Sequence, residues 1–120
     1  MKVIPQWSYS MSVRDPVLDA QHIELLELCR AVQDMAQHGR QKSDLCAWRL
    51  EEIVHALRKH DQLEINRLLD RGERLSKQQR INRANALLQL EELALAAPLH
   101  DMPLTKLQTL LCGWIQHHLH

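Results

Sequence analysis

The chain has 120 residues, 45% of them apolar, with 15 basic and 15 acidic side chains and a formal charge of zero. That length suits one domain able to bury about two thirds of its unfolded surface, and the balanced charge argues against a nucleic-acid binder. Three glycines, four prolines and a preponderance of Leu, Ala, Glu, Gln and Arg favour an all-helical domain over a sheet.

Residues 1–17 read as a leader loop that packs on the helices. The stretch "DPVLDAQHIELLELCRAVQDMAQHG" leads into a first helix, with Asp19 as its predicted cap and Gly39 marking its end. A long second helix, "SDLCAWRLEEIVHALRKHDQLEINRLLDRG", is capped by Ser43 and stopped by Gly72. The third, "SKQQRINRANALLQLEELALAAP", opens on a Ser76–Gln79 capping-box pattern and closes at Pro98. Its basic neighbourhood, "RLSKQQRINR", reads as a solvated helix start. The fourth, "DMPLTKLQTLLCGWIQHHLH", has Asp101 as its cap and carries Gly113 inside it at a modest cost. Short loops make an up-down-up-down four-helix bundle the economical arrangement, spanning 1–120 as one domain. Phenylalanine is absent, so the expected core is leucine with Trp7, Trp48 and Trp114 as its large pieces.

The apolar stripes lead to polar groups. In the first helix Met35 or Ala36, Val32, Cys29 and Leu25 or Leu26 step back to His22. In the second, Leu50, Ile53 and Leu57 step on to His60, Glu64 and Leu68. In the third, Ala97, Leu93 or Ala94, Leu90 and Ala86 or Leu87 step back to Arg83 and Gln79. In the fourth, Leu107, Leu111 and Trp114 lead to His118. In an up-down-up-down bundle, the starts of the odd helices and the ends of the even ones share one end. All six polar groups are therefore expected in one layer, within roughly 10 Å of that end. Imidazoles and a carboxylate converging inside a bundle are the donor set of a metal site.

These stretches resemble the hemerythrin family, in particular its bacterial members. "WSYSMSV" is similar to the family's leader, "LDAQH" to its first-helix ligand motif, "HDQLE" to its second-helix His-x-x-x-Glu, and "WIQHH" to its fourth-helix ligand segment, with His118 at the ligand position. The resemblance covers most of the chain. It implies a four-helix fold around a non-haem di-iron centre that binds oxygen, held by histidines and bridging carboxylates, in a protein that carries or senses oxygen or handles iron.

The departures point the other way. The family's third helix supplies His-x-x-x-His, and those positions fall on Gln79 and Arg83; its second bridging carboxylate would fall beyond His120. The candidate metal remnants are His22, His60, Glu64 and His118. Two unit charges about 4 Å apart interact by roughly 4 kcal/mol at an effective dielectric near 20, and a divalent ion beside Arg83 would double that repulsion. The sequence therefore predicts a degraded di-iron site, with the Arg83 guanidinium in the cavity, making a two-pronged pair with Glu64, and no cofactor. The alternative is one iron or zinc ion on His22, His60, Glu64 and His118, with Arg83 bent towards solvent.

The expected role is a metal-independent binding or regulatory module, not an enzyme; the alternative is a metal-binding protein that uses part of the site for oxygen or iron handling. Its partner would be a protein or a small ligand, with neither nucleic acid nor membrane involved. No apolar run reaches the length of a membrane span and no secretory signal is visible. Three cysteines without a CxxC speak against disulfides and a thiolate zinc site, which fits a cytoplasmic location. Cys29, seven residues from His22, reads as a packed core thiol, and His55, off the stripe, as a surface residue.

Overall fold

A computed structural model describes residues 4–39, 44–97 and 104–118, the side chains of 104–105 and 116–118 excepted. Among the described residues the molecule is all-helical. A 3-10 turn, Tyr9–Met11, precedes α1 (Pro16–Gln37), α2 (Asp44–Asp70), α3 (Lys77–Ala96) and α4 (Leu104–His118). None of these helices is long and apolar enough to cross a membrane. The predicted caps Ser43 and Asp101 and the closing Pro98 lie outside the described residues.

Local chemistry sets the helix ends. Asp15, not Asp19, caps α1: its carboxylate accepts from the Val17 and Leu18 amides, and Pro16 follows at the first helical position, where no amide hydrogen is needed. Asp19 instead pins the leader, accepting from the Ser12 hydroxyl at 2.6 Å and the Val13 amide at 2.9 Å. Gly39 follows α1 at φ 73°. At the end of α2, Gly72 at φ 73° lets its amide reach the Leu69 carbonyl while the Glu73 amide reaches that of Leu68; this is the Schellman pattern, which favours glycine because a Cβ crowds the left-handed region. α3 begins on a complete capping box between Ser76 and Gln79.

The main packing runs in a ring, with α1 against α2 and α4, and α3 against α2 and α4. Leu25, Leu26, Cys29 and Val32 of α1 meet Leu50, Ile53 and Leu57 of α2, Leu90 and Ala94 of α3, and Leu107, Leu111 and Trp114 of α4 in one buried cluster. The leader enters this core through Ile4, whose amide donates to the buried Gln33 side chain at 3.1 Å. One of the three tryptophans departs from the expected core role. Trp7 packs half-buried against the core, whereas Trp48 is 52% exposed, with the Arg49 guanidinium over its ring. Trp48 stands on α2 seven residues before exposed His55, on the flank away from the Leu50–Ile53–Leu57 stripe, and the aliphatic stripe fills the core without it.

Candidate functional site

Three helices bring polar side chains to one place. His22 stands in the second turn of α1 and is buried between Leu18 and the Leu25–Leu26 pair. On α2, His60 and Glu64 are four residues apart and so share a face, with Asp61 one turn before Glu64. From the first half of α3, Arg83 reaches across with only 10% of its side chain exposed.

His60 is the hub. Its Nε2 lies 3.1 Å from His22 Nε2 and 3.0 Å from Glu64 Oε2, and its Nδ1 lies 3.1 Å from Gln21 Oε1. The two imidazole rings are 4.5 Å apart, tilted by 57°. The other carboxylate oxygen of Glu64 accepts from Arg83 Nη2 at 2.7 Å, while Arg83 Nη1 donates to Asp61 Oδ1 at 3.3 Å. The expected two-pronged pair with Glu64 alone is corrected: the guanidinium forks across two carboxylates, because Asp61 and Glu64, one helical turn apart, present one oxygen each. Burial pushes the Glu64 carboxyl upward, but the hydrogen bonds from His60 and Arg83 and their positive charge outweigh it and bring it down to about 2.

The proton inventory narrows the chemistry. Ionised Glu64 can only accept, so the hydrogen between it and His60 must come from His60. Gln21, as oriented, offers its oxygen to the other ring nitrogen and also needs a hydrogen from His60. Two arrangements satisfy both contacts without moving a side chain. In one, the imidazole pair holds one extra proton; with Arg83 this balances the charges of Asp61 and Glu64. In the other, His60 donates from Nδ1 to Gln21, and the lone pairs of His60 Nε2, His22 Nε2 and Glu64 Oε2 face a cation. The three donor atoms lie within 4.8 Å of one another. Ligands held about 2.1 Å from a tetrahedral ion stand roughly 3.3 Å apart, near the spacing of the two closer pairs, and a polar partner such as Gln21 on the far ring nitrogen is the usual support for a ligating histidine.

A two-iron centre does not fit these residues. Of the two α3 positions, Gln79 is exposed, its side chain accepting from the Ser76 amide at 2.8 Å, and Arg83 brings a fixed cation into contact with the one shared carboxylate. Gln79 thus stays out of the cluster, because at the first turn its side chain satisfies a helix-end amide instead. His118 ends α4, and its side chain lies outside the described residues. His55 is exposed and lines a surface groove. Cys29 is fully buried, and that burial, with Cys112 nearby, pushes its thiol up to about 12, so it is no nucleophile.

Helical periodicity assigns neither Gln21 nor Asp61 a contact in the cluster, although each adjoins a candidate ligand. The available signal was an acid three residues before Glu64, facing an arginine on the next helix. No protein-family model, curated protein or solved structure matches the chain.

Proposed function

We propose that this chain is a hemerythrin-like, up-down-up-down four-helix bundle whose di-iron site has decayed into a metal-independent polar lock, leaving a binding or regulatory module rather than an oxygen carrier or an enzyme. The alternation is supported by three cross-links: Arg67 near the end of α2 to Asp15 at the start of α1, Arg83 in the first half of α3 to Glu64 in the second half of α2, and Glu91 late in α3 to Arg58. The observation that carries the reading is the Arg83 fork on Glu64 and Asp61. It supplies inside the protein the positive charge that a metal would otherwise bring to Glu64, and a largely buried carboxylate left without such a partner is destabilising. The lock joins α1, α2 and α3, so the site serves the fold while partner recognition falls to the surface.

A second reading has its own support. Because Arg83 takes only Oε1 of Glu64, Oε2 is left facing the two imidazoles, and one divalent ion could be held by His22, His60 and Glu64 without displacing the arginine. Such an ion would supply Lewis acidity or a redox centre; Gln21 would orient His60 and Arg83 would orient Glu64.

Metal analysis and thermal melting separate the two. For the lock, protein purified without added metal carries no stoichiometric zinc or iron, and its melting curve is unchanged by a strong chelator. Near-stoichiometric metal that is lost in His60→Ala, with a melting temperature that falls on chelation, would establish the single-ion site instead.

A further inference from the structure

α3 is apolar on two sides. Its inner side carries Leu90 and Ala94 into the core. On its outer side Ile81, Leu88 and Leu95 are 42%, 54% and 75% exposed, at intervals of seven residues. At 100° per residue this spacing drifts by only about 20° per step, so the three side chains form one stripe about 21 Å long, of the kind that closes on a second helix with a left-handed supercoil. The stripe is symmetric about Leu88, with one large apolar residue seven positions to either side.

The charges on α3 identify the second helix. Its first turn holds Lys77 and Arg80, and its second half holds Glu91 and Glu92. This order opposes the helix dipole, which favours anions at the N-terminus and cations at the C-terminus. Glu91 is paired with Arg58, whereas Lys77, Arg80 and Glu92 are exposed. An antiparallel copy of the same helix would lay an acidic half along each basic half; a parallel copy would set like on like.

We propose that the outer face of α3 is the interface of a two-fold symmetric homodimer, with Leu88 packed at the axis against its own copy and Ile81 against the partner's Leu95. Such an interface is self-complementary, as a closed two-fold contact requires. Leu95 also borders a groove of about 420 Å³ between α2 and α3, lined by Val54, His55, Arg58 and Ala94, which receives the partner's Ile81. The inference concerns the surface of α3 and holds for either reading of the polar site.

Sedimentation velocity of the full chain up to about 100 µM is the test, since a contact of one helix pair is small. The wild type sediments as a dimer, and high salt weakens it. Leu88→Lys, which sets two cations face to face at the axis, raises the dissociation constant at least tenfold while leaving the helical circular dichroism unchanged. Register is tested by oxidative cross-linking in a Cys112→Ala background with unchanged helical content: Leu88→Cys links to itself, and Ile81→Cys links to Leu95→Cys but not to itself. A wild type that is monomeric throughout this range, a Leu88→Lys chain that dimerises as well as wild type, or self-linking of Ile81→Cys would each overturn the proposal.

Discussion

Glu64 is held as an anion by His60 and Arg83 against the effect of its own burial. Its carboxyl lies at about 2 in the fold against 4.5 for the free group, so its folded-state value is the lower one. It therefore contributes stability that is present above pH 4.5 and is lost as pH falls towards 2, of the order of 2 kcal/mol once solvent screening of its exposed part is allowed for. Glu64→Gln is expected to be less stable at neutral pH and to lose less on acidification, a difference that urea unfolding at pH 7, 4.5 and 3 measures directly. Arg83→Ala strands both carboxylates. Both are partly exposed, so the cost should fall below that of a fully buried broken pair, at about 2–3 kcal/mol. Arg83→Lys keeps the charge but cannot fork across two acids, and should fall between wild type and alanine. The effects of Glu64 and Arg83 will not add, because the two share one network.

Among the elements, α3 shows how a single side chain is committed by its position. Gln79 lies on the inward line of the helix, yet at the third position after Ser76 it can close the capping box, and there it stays. Both features were legible in the sequence; the choice between them was not, because it depends on how far the first turn projects beyond its neighbours. Loss of Ser76 is expected to cost about 1 kcal/mol by removing the cap. Gly72→Ala should cost a similar amount, about 1 kcal/mol, although open space surrounds the site: its φ of 73° penalises any side chain. Denaturant midpoints of Ser76→Ala and Gly72→Ala check both, with the slope of the transition unchanged. For α1, two aspartates four residues apart compete for one cap. Asp15 takes it because Pro16 presets the next residue, which frees Asp19 to hold the leader.

For the whole molecule, the three helices that carry the polar cluster, α1, α2 and α3, also contribute to the apolar cluster, which α4 completes. His22 and His60 stand directly beyond the leucines of α1 and α2, so the packing that orders the core also sets the distances at the site. A dimer through α3 would add a concentration-dependent contribution: the melting temperature should rise with protein concentration in the wild type and stay constant in Leu88→Lys. The convergence of His22, His60, Glu64 and Arg83 could be inferred from helical periodicity and short connections, which together constrain which ends of the helices meet. The outer stripe of Ile81, Leu88 and Leu95 escaped that reading, because a helix with leucines all round does not announce from its pattern which leucines the core will leave out.

Periodicity, caps and turn glycines are local, and from them the sequence by itself determined that four helices form, roughly where most of them end, and that imidazoles, a glutamate and an arginine lie on inward lines. Which oxygen meets which nitrogen is not local. The division of the Arg83 guanidinium between Glu64 and Asp61, the role of Gln21 behind His60 and the withdrawal of Gln79 all turn on ångström-scale offsets between packed helices. Such offsets arise only when side-chain volumes from four separate stretches of chain are fitted together, and tertiary packing decided them.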